Sequence, residues 1–302
     1  MNFALSDRTK AIYLQNWNTF LIFCNTHNLK VELPISEQNL VNYLAHLCTK
    51  GYKLSTISTH ASSLAYINKY LGFKDFSESF LVKQLFKGIA NLKTNSEMPD
   101  TRLPITHELL HKMLTALPHT IQNFYQRTLF ATMCILAFYG FFRIGELCKK
   151  KANDTSSHAI LFKNVKIIEQ PQGTTGVQIH LPSFKHSTKA VTLFLPELQH
   201  SPVTCPVAAI KNYLTHFKHK EGPFFQFING EAVSYAFFNE KLRNTIAFLG
   251  FDISKYKSHS FRIGAATNAA MQGHSEEIIK RLGRWKSNAS QNYIRIPLIM
   301  LP

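Results

Sequence analysis

The sequence predicts a mainly α protein in two parts: a helical amino-terminal domain, then a larger, mostly helical domain with a small antiparallel sheet. Three observations carry this. Apolar residues recur every three or four positions from Ser6 to Lys93. The period drops to two at Val177, Ile179 and Leu181, and again at Val191, Leu193 and Leu195. Between the two regions, Lys93-Thr-Asn-Ser-Glu-Met-Pro-Asp-Thr-Arg102 is polar, turn-forming and aperiodic, as a linker would be. The divisions read 1–93, a linker at 94–103, and 104–302. A chain of 302 residues, 45% hydrophobic, can fill two cores, since single domains run to roughly 100–200 residues.

Element by element, Ser6 and Ser36 are expected N-caps and Gly51 and Gly72 expected stops, which divides the first region into four helices. The third sets Ile57, Ala61, Leu64, Ile67 and Leu71 on one stripe, with Ser55, Thr59, Ser62 and Lys69 opposite. Short hydroxyls beside a lysine suit close approach to a phosphate backbone, although the same face reads equally as ordinary solvated surface. Past the linker, Thr106 is expected to cap a short helix. Leu129 to Phe142 is apolar nearly all round, so it is expected as the buried central helix of the second core. The alternating runs, joined by Lys185-His-Ser-Thr-Lys189, predict a β-hairpin, and helical pattern resumes near Val207, broken by Gly250, Gly273 and Gly283.

Lys+Arg number 34 against 18 Asp+Glu, a formal charge of +16, which favours a polyanionic partner. The positive residues are dispersed rather than gathered in a polybasic tail, so nucleic acid is expected and a membrane surface is not. Cys24, Cys48, Cys134, Cys148 and Cys205 lack CxxC spacing, which suggests buried thiols in a reducing compartment and gives no zinc signature. The first ten residues carry Asp7, Arg8 and Lys10 and no long apolar run, and Leu129–Phe142 is too short to span a bilayer, so a soluble intracellular protein is expected.

Several segments could carry chemistry. Arg143, in Phe-Tyr-Gly-Phe-Phe-Arg-Ile-Gly-Glu-Leu, follows the apolar helix directly and stands at the rim of a core. Alone, it reads as half of a surface pair with Glu146. His259-Ser-Phe-Arg262 puts an imidazole and a guanidinium on one helix face, followed by Ala265, Ala266, Ala269 and Ala270; alone, it reads as a cap. Leu282-Gly-Arg-Trp285 precedes Tyr293, and a lone tyrosine reads as core or surface.

Taken together and in this order, these segments resemble the tyrosine recombinases, the family of phage integrases, Cre and the Xer proteins. The match runs through Arg143 with Glu146 and Leu147, the hairpin lysine Lys185, His259 and Arg262, Trp285 at the His/Trp position, and Tyr293 as nucleophile. The resemblance covers nearly the whole chain, with 1–93 similar to the family's core-binding domain. Gly283-Arg-Trp with Tyr293-Ile-Arg, and Thr204-Cys-Pro-Val, look most like recombinases of eukaryotic mobile elements, of the DIRS-like and Crypton kinds. Trp285 lies one residue nearer the tyrosine than usual, which leaves Arg284 a share of that role, and Lys189 is a substitute for Lys185.

The resemblance implies a C-shaped clamp on double-stranded DNA. It also implies cleavage and rejoining through a 3′-phosphotyrosine, with no cofactor, no metal and no ATP. A phenol with a pKa near 10 needs its developing charge stabilised, which Arg143 and Arg262 can do by paired N–H donors to the phosphate. Lys185 would protonate the leaving 5′ oxygen, His259 would take the phenol proton or hold the phosphate, and Trp285 would donate its indole N–H. Carboxylates are scarce, and in the Arg-His-Arg segments only Glu146 occurs, unlike the clusters that hold Mg²⁺ pairs. The partners implied are two DNA sites, with a dimer on each and a homotetramer over both. The location implied is the nucleus for a eukaryotic element, and the cytoplasm or nucleoid otherwise. Leu298, Ile299 and Leu301 form an apolar tail that either docks on a neighbouring protomer or packs on its own domain. Two other readings stand beside the recombinase: an inactive DNA-binding derivative, and a type IB topoisomerase.

Overall fold

The structure, a computed structural model, describes residues 5–93, 100–149, 159–169, 173, 175–183, 189–216 and 221–295. The chain divides into two compact units, Met1–Pro99 and Asp100–Pro302.

The first unit is built of α1 (Asp7–Thr26), α2 (Glu37–Thr49), α3 (Leu54–Tyr70) and α4 (Phe80–Lys93). The Ser6 and Ser36 hydroxyls accept from Thr9 N and Asn39 N, satisfying donors that the first turn leaves unpaired. Gly51 and Gly72 take φ of +79° and +78° just past α2 and α3, a conformation that costs glycine little. Phe20, Phe23, Tyr43, Leu44, Leu47, Ile57, Leu64 and Val82 form the core. Polar pairs lock the α3 face within it: Asn16 Nδ2 donates to Ser63 Oγ at 2.8 Å, and Tyr43 OH lies 2.8 Å from His60 Nδ1. Leu71, expected on the apolar stripe, is 46% exposed because α3 has already ended at Tyr70.

The second unit opens with α5 (His107–Thr120) and α6 (Phe124–Tyr139). Thr106 Oγ1 accepts from Leu109 N, and the helix it caps runs for 14 residues, longer than expected. The central helix ends earlier than its composition suggests. Gly140 caps α6, and Phe141 turns the chain with φ +50°, so Phe141 and Phe142 are buried in a corner rather than in a helix. A four-residue turn of helix, α7 (Ile144–Leu147), follows. The hairpin has the register that alternation implies, with Val177, Ile179 and Leu181 of β2 (Thr175–Leu181) opposite Leu195, Leu193 and Val191 of β3 (Val191–Pro196). β1 (Val165–Glu169), which the sequence reading missed, pairs with the other edge of β2; its exposed residues show little alternation. Among the described residues, α8 (Pro206–Thr215), α9 (Tyr235–Phe248), α10 (Ser260–Met271) and α11 (Glu276–Leu282) follow. Residues 221–234 between α8 and α9 are not helical; isolated bridges such as Gln226 to Ala232 organise them. Among the described residues no helix is long and apolar enough to cross a membrane. All five cysteines are free, and Cys48 alone of them is not fully buried.

Residues 100–103, read from the sequence as linker, belong to the second unit. Leu103 N donates to Lys255 O at 2.8 Å and Ile105 N to Ser260 O at 3.0 Å, which lays this irregular segment along the approach to α10 and its first residue. The approach is close enough that a Cβ on Gly264 would stand 1.8 Å from Ile105 O. Gly264→Ala must push these backbones apart, so chemical denaturation is expected to show a loss of about 1–3 kcal/mol.

Candidate active site

The site begins where α6 stops. The corner at Gly140–Phe142 delivers Arg143 to the N-cap of α7. There Glu146 holds it twice: Glu146 Oε2 accepts from Arg143 N at 3.0 Å and Oε1 from Arg143 Nη1 at 3.0 Å. The carboxylate is 3% exposed and the Arg143 side chain 21%, so the guanidinium is fixed at the edge of the core with part of it facing solvent.

Arg284 completes this arrangement from behind. Its Nη2 donates to Glu146 Oε2 at 2.8 Å and to Phe141 O at 3.1 Å, and its Nη1 to Gly140 O at 3.0 Å. Both oxygens of Glu146 are thus taken by guanidiniums. Burial pushes the pKa of Arg284 down, and the Glu146 carboxylate opposes that shift.

On the opposite wall, His259 caps α10 and Arg262 lies in its first turn. Arg262 is 1% exposed. Its Nη1 donates to Phe141 O and its Nη2 to Gly283 O, the latter at 2.7 Å. Its Nε–H is buried and has no hydrogen-bond partner among the described residues, a deficit of about 1–3 kcal/mol that an incoming acceptor would relieve. Burial lowers the pKa of this guanidinium, the nearby Arg143 and Arg284 lower it further, and Glu146 and Tyr293 oppose them. With an ordinary value above about 12, arginine has room for such a shift while staying charged.

Trp285 lies over the Arg262 guanidinium at 4.6 Å, and the Tyr293 ring stands 5.6 Å from it. Trp285 and Tyr293 are 4.9 Å apart between centroids, and the His259 ring is nearly parallel to Tyr293 at 6.4 Å. Folding therefore gathers His259, Arg262, Trp285 and Tyr293 into one cluster. Arg143 is tied to this cluster through Glu146 and Arg284, because Arg284 shares the Phe141 carbonyl with Arg262.

Arg284 and Trp285, adjacent in sequence, take opposite places. Arg284 adopts φ +57°, at a cost of about 1–2 kcal/mol, and this turn sends its side chain into the core while Trp285 faces Tyr293. The Arg284 guanidinium reaches Arg143 through Glu146, as a supporting residue would. Gly283 makes room for the turn, since a Cβ there would stand 1.8 Å from the Trp285 ring. Lys185 lies outside the described residues, as do Leu298, Ile299 and Leu301; Lys189 is exposed in the connection of the hairpin, just before β3. Ser55, Thr59, Ser62 and Lys69 are exposed on α3, in the other unit. Thr59 Oγ1 donates to Ser55 O, Ser62 Oγ donates to Ser58 O, and Lys69 pairs with Asp75 at 2.8 Å.

The sequence reading missed Thr267. Its Oγ1 accepts from Arg295 N at 2.9 Å and donates to Tyr293 O at 3.4 Å, fixing the tyrosine segment to α10. A hydroxyl inside Ala265-Ala-Thr-Asn-Ala-Ala270 was the available signal.

The chain is 22% identical over 294 residues to an integrase/recombinase XerD homolog of Selenomonas ruminantium, covering 93% of this chain and 79% of that protein. No family model matches. Among solved structures, the XerH site-specific recombinase bound to palindromic difH substrate superposes with a TM-score of 0.63 at 17% identity, covering 95% of this chain and 75% of that one. The Tn1549 transposon integrase, in complex with circular intermediate DNA, gives 0.60 at 12% identity, covering 98% and 92%. A lambda integrase dimer bound to a core site gives 0.56 at 15%, covering 99% and 93%. The fold of this chain is the one these recombinases and integrases share.

Arg284→Met would leave the buried Glu146 carboxylate short of a partner. The expected result is a loss of about 3 kcal/mol or more in denaturant unfolding, with the second unit the first to melt.

Proposed function

We propose that this chain is a site-specific tyrosine recombinase that cuts and rejoins double-stranded DNA through a 3′-phosphotyrosine. The observation that carries this reading is the packing of the Tyr293 ring against His259, Trp285 and the Arg262 guanidinium, with Arg143 at the rim.

In the proposed step the Tyr293 oxygen attacks a phosphodiester phosphorus. The bond to the 5′ oxygen breaks, and the phenol proton passes to His259. The hairpin lysine, Lys185 or Lys189, returns a proton to the leaving oxygen. Arg143 and the unpartnered Nε–H of Arg262 donate to the non-bridging oxygens, where charge accumulates. Glu146 and Arg284 position Arg143. The phosphotyrosyl link keeps the energy of the broken ester, so a 5′ hydroxyl from another strand can reverse the step without a nucleotide, and two guanidiniums supply the charge that a metal would otherwise bring.

Exchange between two duplexes needs four strand cuts, which corresponds to a dimer on each site and a homotetramer over the pair. The segments Gly283-Arg-Trp, Tyr293-Ile-Arg and Thr204-Cys-Pro-Val suggest descent from a eukaryotic mobile element of DIRS-like or Crypton kind, which would work in the nucleus.

A duplex nicked beside the cleavage site traps the intermediate. The wild-type chain is expected to form a covalent adduct on it and Tyr293→Phe none, while Arg143→Lys is expected to slow adduct formation by about 100- to 1000-fold. Absence of an adduct in the wild type would favour a DNA-binding protein without catalysis. An adduct without exchange between two sites would favour a topoisomerase.

A further inference from the structure

The chain enters the second unit at Asp100, and this carboxylate makes contacts that the proposed chemistry does not use. Asp100 Oδ1 accepts from Arg102 Nε at 2.8 Å and Oδ2 from Arg102 Nη2 at 2.8 Å. Oδ2 also accepts from Arg295 Nη2 at 3.2 Å, bridging 195 positions of sequence to a residue two places beyond Tyr293. Arg295 in turn donates from Nη1 to Asn292 O at 2.7 Å and from its backbone N to Thr267 Oγ1. The residues on both sides of Tyr293 are therefore held by one guanidinium, and Asp100 anchors that guanidinium. The segment carrying Asp100 is itself fixed, by the Leu103 and Ile105 hydrogen bonds to the approach and start of α10 and by its close contact with Gly264.

We propose that Asp100 is a positioning residue for Tyr293: through Arg295 it pins the tyrosine segment to the stretch on which the chain enters the unit. The role of Tyr293 as nucleophile rests on the function proposed above; the pinning does not. Asn288–Tyr293 is a six-residue 3-10 segment, whose i→i+3 hydrogen bonds have poorer geometry than those of an α-helix. Its register on α10 depends on attachments from outside, and Thr267 and Asp100 supply them. Hydrogen bonds from Arg102 hold the Asp100 carboxyl well below the usual range, at about 2, so its charge persists across neutral pH. The pair is about one-third exposed, which makes its effect on global stability small and its effect on local placement the quantity to measure.

The test compares the full-length wild type with Asp100→Asn, Asp100→Glu, Arg295→Gln and the Asp100→Asn/Arg295→Gln double variant. Amide hydrogen exchange of the peptide Asn288 to Arg295 reads placement directly, without DNA or activity. It is expected to quicken by about threefold in each charge-removing variant, with no further change in the double variant and wild-type behaviour in Asp100→Glu. Adduct formation on the nicked duplex at saturating DNA is expected to slow by a similar factor while DNA affinity stays unchanged. Unchanged exchange in Asp100→Asn, additive effects in the double variant, or faster exchange throughout the unit with a lowered melting temperature would each overturn the proposal. If the wild type forms no adduct, the strand-transfer reading fails, and the exchange measurements alone decide whether Asp100 pins the segment.

Discussion

One buried carboxylate organises this site. Three guanidiniums, Arg143, Arg262 and Arg284, converge near the corner at Gly140–Phe142, and charges of one sign in a space of low dielectric repel strongly. Glu146 offsets that repulsion with both oxygens, and the carbonyls of Gly140, Phe141 and Gly283 contribute the negative ends of their dipoles. Such a buried cluster adds little to stability over a well-packed apolar equivalent. What it provides is geometry, because the Glu146 oxygens and the corner carbonyls fix the direction of each guanidinium.

The apolar surroundings follow from this need. α10 has to bring Arg262 against the corner and leave space for the rings of Trp285 and Tyr293, so its inner face is built from Ala265, Ala266 and Ala269, with Phe141 and Ile279 closing the small core. Gly264 and Gly283 extend the same logic to backbone and ring contacts. The Nε–H of Arg262 is buried with no hydrogen-bond partner among the described residues, in a guanidinium that lies against Trp285.

Much of the fold was legible because its signals are local. Serine and threonine caps, glycine stops and period-two alternation each report on a few consecutive residues, and the hairpin register from Val177 to Leu195 followed directly. The errors lay where local signals mislead. Phe141 and Phe142 have helical composition but sit in a turn that tertiary burial stabilises. β1 lacks clear alternation and takes its strand form from pairing with β2.

The sequence by itself determined the two-part helical architecture, the strongly basic character and the order of the arginine, histidine and tyrosine segments, since residue types and spacing encode these directly. Tertiary structure decided how neighbours divide their work. Whether Arg284 or Trp285 faces Tyr293 depends on one backbone angle, and that angle is affordable only because Glu146, 138 positions away, waits to receive the guanidinium. Likewise Asp100 and Arg295 are unremarkable charged residues in a list. They become partners only when the entering segment and the end of the described chain are laid on the same helix, a juxtaposition that no local pattern records.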